Sequence, residues 1–355
     1  MNKNNQQAHF AVRAAINEKI QGSRHAVKLI SQLVVSFLKM RSSNLAVIAN
    51  SLETPVKVSS SYKQIQRFLK AFRWRASGFA ELQLEMLGIG GTLDLVIDRT
   101  EWKFGAVWIN ILMVSVWHRG AAIPVGWKVF SRKGVLSGRH HVMVLRSAVE
   151  RLGAARVRKV FGDREFAGRE MFRYLFEHEL DFCLRLKRSH LADGIAFKQL
   201  CIEQQVRVKL KIKRKLRVLG YEMAVSVMKL SESEYLICAS REVEAQALAE
   251  YAKRWQIETL FGCLKSRGFN FEETHLTRRT RIERLTLVLS LAFCLALQTG
   301  EIKVKEKPLK QKNNARFERS VFRIGLDYLQ NLLVNLHLPG KCREFNLLVN
   351  LLSCT

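Results

Sequence analysis

Two short apolar runs, each closing on an aspartate, constrain this chain more than any other feature. LDLVID spans residues 93–98 and VRKVFGD spans 157–163. Runs of this length read as buried strands. Between them lie two longer apolar and aromatic runs, 106–117 and 121–130, divided by His118, Arg119 and Gly120, which predict a hairpin. Residues 138–152 and 168–179 carry a helical period, and DFCLRLKRS (181–189) reads as a further strand. The order is three strands, helix, strand, helix, strand, an α/β pattern. Sites in such sheets form at the carboxyl ends of strands, which is where Asp98 and Asp163 fall. Two acids there repel each other unless a cation lies between them. Asp94 shares a strand face with Asp98, and Asp98 is preferred because the apolar run ends at it.

Charge narrows the partner. Fifty-nine Lys and Arg oppose thirty-one Asp and Glu, a net +28 on 355 residues. With charged residues at an ordinary 25%, the excess is an imbalance of sign, and nucleic acid is the expected partner. A hydrophobic content of 48% excludes a disordered basic tail. Seven scattered cysteines without a CxxC pair argue against a disulfide framework and predict a reducing cytoplasm. The start, MNKNNQQ, has no apolar leader, and the run Leu285–Leu297 is expected to be a buried helix too short to span a membrane.

Residues 1–90 read as helices, with apolar spacing through Val27, Ile30, Leu33, Val34 and Leu38. Asn44–Leu52 and Tyr62–Phe72, the second capped from Ser59–Ser61, resemble a helix-turn-helix, although an ordinary bundle accounts for them as well. In VRVKLKIKRKLRV (206–218) every odd position from 207 to 217 is basic: Arg207, Lys209, Lys211, Lys213, Lys215, Arg217. On one strand these would form a single face with charges about 7 Å apart, near the phosphate repeat of a nucleic acid. His140 and His141 are adjacent and cannot share one helix face, and GIGG (88–91) lacks a phosphate-loop context.

A long helix is expected over about 243–268, followed by an apolar one over about 280–298. On the first, Tyr251, Arg254, Glu258 and Lys265 fall within roughly a 60° arc. Much of the rest of that helix is apolar, and charges on a buried helix are costly unless paired or used. An intrahelical ladder explains Arg254 with Glu258 but not Tyr251 or Lys265.

YAKRWQIETLFGCLK, with LDLVIDRTEW and KVFGDREF, resembles the Tyr-Arg-Glu-Lys signature and the two aspartate blocks of DDE transposases of bacterial insertion sequences, the insertion-sequence-four family. The resemblance covers about residues 92–270. It implies an α/β, ribonuclease-H-like core interrupted by a β-rich insertion, with an N-terminal helical DNA-binding domain. The expected divisions are 1–90 (N-terminal domain), 91–189 (core, first part), 190–233 (basic insertion), 234–300 (core, second part) and 301–355 (basic linker and C-terminal helical segment).

By the same resemblance, Asp98, Asp163 and Glu258 hold two Mg²⁺ or Mn²⁺ ions, which suit hard oxygen ligands. Tyr251, Arg254 and Lys265 hold phosphates. Arg185, with Lys187 beside it, and Tyr235 lie near an extruded base, although Tyr235 reads equally well as a core aromatic. From their alternation, and not from the resemblance, Arg207, Lys209, Lys211 and Lys213 are expected as further DNA contacts, although a solvated sheet face accounts for them as well. The implied activity is cut-and-paste transposition through hairpin ends, by a homodimer on terminal inverted repeats and target DNA in the bacterial cytoplasm. A nuclease that cuts without joining, and an inactive DNA-binding relative, are the alternatives.

Overall fold

The computed structural model describes residues 24–353, apart from 74–75, 201–204, 211, 213, 232–233, 245 and 311–316. Four helices come first: α1 (Arg24–Met40), α2 (Leu45–Ser51), α3 (Val58–Ala71) and α4 (Ala76–Met86). The Asn44 side chain caps α2 by accepting from the Ala46 N–H.

Three antiparallel strands follow, β1 (Leu93–Phe104), β2 (Val107–His118) and β3 (Ala121–Phe130). Then come α5 (Gly138–Leu152), β4 (Val157–Gly162), α6 (Arg169–Glu177) and β5 (Phe182–Arg185). The insertion supplies β6 (Leu191–Ala192), β7 (Ile195–Ala196), β8 (Lys209–Leu210), β9 (Leu216–Val218) and β10 (Tyr221–Lys229), and β11 (Tyr235–Ser240) follows it. The described strands join in one mixed sheet, ordered β3-β2-β1-β4-β5-β11-β10-β9-β6-β7, with β8 on β10. β1, β4 and β5 are mutually parallel. This α/β arrangement is consistent with a ribonuclease-H-like core.

Alternation along β1 divides the core. Leu93, Leu95 and Ile97 pack with Leu145, Val149, Phe172 and Leu175 of α5 and α6. Val96, with Phe161 of β4, packs on the other face against Leu248, Ile257, Leu260 and Phe261. Four helical pieces after the sheet close that second face and extend its core: α7 (Trp255–Leu264), α8 (Arg279–Glu306), α9 (Val321–Val334) and α10 (Pro339–Ser353). Ile30, Leu33, Phe37, Ile65 and Leu69 of the N-terminal helices belong to the same core as α8 and α9.

Several expectations change. β1 runs twelve residues, not six, because its pairing with β2 continues to Phe104. The helix expected over 243–268 is broken into an α-turn (Ala247–Glu250), a 3₁₀ turn (Tyr251–Arg254) and α7. The basic run 206–218 does not form one strand. Arg207 has a φ of 64°, which breaks the alternation, and only 209–210 and 216–218 are extended pairs. Lys211 and Lys213 lie outside the described residues. A single face of six like charges would be self-repelling. Arg214 instead pairs with Asp193 at 2.7 Å and Lys215 with Glu242 at 2.6 Å.

The apolar helix is also longer than expected. α8 has 28 residues and passes a membrane-span test by length and composition, but 89% of its apolar window is buried inside the structure. It is a core helix. The residues from Lys303 to Glu306, expected in a linker, continue it. The C-terminal segment packs back on it, with Phe322 stacked on Phe293 at 5.0 Å. The cysteines Cys183, Cys238, Cys263, Cys294 and Cys342 are free thiols.

α8 and α9 approach so closely that two glycines are needed. A Cβ on Gly325 would sit 1.7 Å from the Ala296 carbonyl oxygen, and one on Gly300 would sit 2.0 Å from that of Val321. Alanine raises helix propensity by about 1 kcal/mol, but backbone overlap forces the helices apart and outweighs that gain. Gly325→Ala should lose about 2–3 kcal/mol of stability, at the upper range of overpacking costs. Chemical denaturation measures this, and an unchanged or raised midpoint would refute the close approach.

Candidate active site

The last register pair between β1 and β4 is Ile97 with Gly162. Asp98 and Asp163 are the next residue on each strand, so the parallel pairing itself sets the two acids side by side. Asp98 lies mid-strand with respect to β2, yet it is the first residue beyond the β4 ladder. Asp98 therefore does not end β1, as the sequence led one to expect; only the parallel ladder with β4 stops before it. At Gly162 there is no room for a side chain: a Cβ would meet Ile97, Leu184 and Phe166 at 3.1–3.2 Å.

The helical segment 247–264 covers the acids from the second face. Tyr251 donates its hydroxyl hydrogen to Asp163 Oδ1 at 3.3 Å. Arg254 is buried and forks between two carboxylates, with Nη1 donating to Asp98 Oδ2 at 3.1 Å and Nη2 to Glu258 Oε1 at 2.6 Å. Its Nε is buried without a hydrogen-bond partner. Asp98, Asp163, Tyr251, Arg254 and Glu258 thus form one connected cluster. Glu258 has a side chain 52% exposed, whereas that of Asp98 is 15% exposed.

A brace ties the two acid-bearing stretches together on the flank. Arg99 Nε lies 2.9 Å from both oxygens of Glu165, and Arg99 Nη1 lies 3.1 Å from Glu101. The Arg99 N–H donates to Asp98 Oδ1 at 2.8 Å. These partners were legible only as neighbours of the aspartates in the two motifs.

The remaining sequence candidates divide. Arg185 reaches the site: its Nη1 is 4.0 Å from Asp163, and Nη2 donates to Glu234 and to the Tyr235 carbonyl. It lines a cavity of about 820 Å³ with Lys187, Tyr235 and three cations that sequence reading passed over, Arg164, Arg188 and Lys198. Tyr235 is buried, with Arg188 over its ring at 5.2 Å, which matches the core-aromatic reading better than a free stacking platform. Lys265 does not join the acids. It follows the end of α7, where the ideal-helix arc no longer applies, and it pairs with Glu272 at 2.7 Å and donates to the Glu101 carbonyl at 3.3 Å. Arg207 and Lys209 are exposed on the insertion. Asp94, the rival of Asp98, is bound by Arg158 and Lys253, each at 2.6 Å. Trp255, counted among the apolar residues of a buried helix, is instead 58% exposed, three residues before Glu258.

Asp98, Asp163 and Glu258 are hard-oxygen donors whose chemistry fits a divalent metal. In this arrangement the cation between Asp98 and Glu258 is the Arg254 guanidinium. Among the described residues no three acidic, histidine or cysteine side chains are gathered as they stand to hold an ion. Loading would require Glu258 or Arg254 to turn.

Residues 137–295 match the family described as the transposase DDE domain. Comparison with curated proteins gave no match. The chain carries a catalytic DNA-transposase domain. The matched span holds Asp163 and Glu258, and Asp98 precedes it.

Burial pushes the Asp98 carboxyl up to about 7; Arg99 and Arg254 oppose the rise, while Glu165 and Asp163 add to it. The unfolded reference is 3.8, so the folded state binds the proton more tightly. Stability contributed by this group is then full below pH 3.8, falls as pH rises towards 7 and is flat above it. In EDTA, wild type should lose about 1–3 kcal/mol relative to Asp98→Asn between pH 5 and pH 7, with little further change to pH 8.5. Denaturant melts of both proteins across this range test it, and a constant difference would count against the buried setting of Asp98.

Proposed function

We propose that this transposase DDE domain cuts and rejoins DNA through Asp98, Asp163 and Glu258, as a cut-and-paste transposase of the insertion-sequence-four type. The observation that carries the reading is the placement of Asp98 and Asp163 directly after the last parallel register pair of β1 and β4, with Glu258 tied to Asp98 through Arg254. Two Mg²⁺ or Mn²⁺ ions on these carboxylates would supply activation of the attacking oxygen and neutralisation of the leaving one.

The chain's own residues then have distinct tasks. Arg254 uses both Nη groups on carboxylates and has an Nε to spare for a phosphate oxygen. Tyr251, held on Asp163, orients that carboxylate, and burial raises its hydroxyl well above the usual phenol range, so it remains a donor. Arg185, Lys187, Arg164, Arg188 and Lys198 line an anionic-strand path leading away from Asp163. Arg207 and Lys209, exposed on the insertion, would extend it, and Lys265 would mark its opposite side near Glu101. Trp255 offers an exposed ring beside Glu258 for stacking on a base.

The helix-turn-helix-like pair α2–α3 would read the terminal inverted repeats, with Lys63, Arg67 and Lys70 exposed on α3. Hairpin ends and a homodimer holding two ends in one synaptic complex complete the proposal.

An assay with purified protein, duplexes of the element's end sequences and Mg²⁺ or Mn²⁺ tests it. Wild type should cut and join. Asp98→Ala, Asp163→Ala and Glu258→Ala should each lose at least about a hundredfold in rate, since even the outer partners of metal ligands act on that scale. Cutting without joined products would move the assignment to a nuclease. End binding with no chemistry under either metal would sink the catalytic reading and leave a DNA-binding relative.

A further inference from the structure

On the face of the sheet that carries Asp98 and Asp163, a second pair of charges lies four residues before them. Asp94 on β1 and Lys159 on β4 are direct register partners. Lys159 is 3% exposed, and its Nζ donates to Glu244 at 2.5 Å and to Glu250 at 2.8 Å. Asp94 Oδ2 accepts from Lys253 at 2.6 Å and from Arg158 at 2.6 Å, and Arg158 also reaches Glu250 at 3.3 Å. Lys253 lies over the Trp117 ring at 4.8 Å. The partners in this tier lie just before Tyr251, as Glu244 and Glu250 do, or between it and Arg254, as Lys253 does.

We infer that Lys159 and Asp94 are positioning residues that fix the register of the segment bearing Tyr251, Arg254 and Glu258 over the two aspartates. The inference rests on the metal-dependent reading of that site given above. The segment is not one rigid rod, because its α-turn, 3₁₀ turn and ten-residue helix meet at two breaks. Its apolar contacts, through Leu248, Ile257, Leu260 and Phe261, are non-directional and tolerate sliding. A slip of one residue in a 3₁₀ turn moves the chain by about 2 Å, while metal ligands tolerate about 0.2 Å. Ion pairs with defined acceptors at a fixed height on β1 and β4 remove that freedom. Buried pairs of this kind cost desolvation and are weak devices for stability alone, and a role in register accounts for their retention. Lys159 keeps its charge there: burial works against it, but hydrogen bonds to Glu244 and Glu250 outweigh the penalty and raise its pKa.

The test compares wild type, Lys159→Met, Lys159→Arg and Glu250→Gln. Three quantities are measured well below each melting temperature: backbone hydrogen exchange across 251–264, the Mn²⁺ concentration giving half-maximal end cleavage, and the duplex Kd. Lys159→Met should speed exchange in 251–264 while β1 and β2 stay protected. It should raise the Mn²⁺ requirement about tenfold or more, the scale of outer-shell substitutions, with the duplex Kd unchanged. Lys159→Arg should restore most of both. Glu250→Gln, at a partly exposed position, should move exchange and Mn²⁺ requirement in the same direction and serves if Lys159→Met does not fold. A lowered melting temperature with unchanged exchange in 251–264 and an unchanged Mn²⁺ requirement would overturn the inference. Retained cleavage in Glu258→Gln would instead overturn the metal-site reading, and the exchange comparison would still decide whether Lys159 holds the segment.

Discussion

The parallel pairing of β1 with β4 is the constraint on which the site depends. Their parallel ladder stops at Ile97 and Gly162, so the residues that follow on the two stretches, Asp98 and Asp163, face the same space. Parallel pairing requires a crossover, which here consists of β2, β3 and α5. It also buries both faces, which explains the apolar residues Leu93, Leu95, Val96 and Ile97 on β1 and Val157, Val160 and Phe161 on β4. The exceptions on the covered face of these two strands are Asp94 and Asp98 on β1 and Lys159 on β4. Each is paired, and each is tied to the segment that closes that face.

Placing Asp98 beside Asp163 in a poorly solvated setting is unfavourable for folding. Burial disfavours the charged form, the neighbouring acids add to that, and the carboxyl is shifted towards neutral pH. Arg254 and the Arg99 N–H offset part of the cost, and the Arg99–Glu165 brace keeps the acid-bearing stretches from spreading. A site that sacrifices stability in this way needs a rigid surround, and the two-sided core of the sheet supplies it.

Much of this was legible in the residues. Apolar runs that close on an acid gave β1, β4 and both aspartates, because buried parallel strands leave few alternatives for such runs. The hairpin and α5 appeared at nearly their observed limits. Three things were not legible, for different reasons. The break at Tyr251–Arg254 has no proline or glycine to mark it and follows from what the segment must reach on the sheet. The exposure of Trp255 depends on which face α7 presents, and an apolar residue carries no signal for that. The ionic tier joins residues 94, 158, 159, 244, 250 and 253, whose proximity exists only once the sheet has formed. The alternating basic run misled because period two describes a strand only if nothing turns it, and Arg207 turns it.

A phosphate backbone approaching three carboxylates meets repulsion at the point where chemistry is needed. The chain's positive excess answers this locally as well as globally. Arg254 lies within the acid cluster, Arg185 lies 4.0 Å from Asp163, and Arg164, Lys187, Arg188 and Lys198 line the adjoining cavity. Over a Debye length of about 8 Å, a strand entering along that cavity would feel these cations before it felt the acids. In the proposed reading, the net +28 would draw a polyanion to the surface, and these cations would bring the strand to Asp98 and Asp163. Neutralising them should therefore act on the approach to the acids rather than on the acids themselves, which places these arginines and lysines functionally beside the carboxylates they surround.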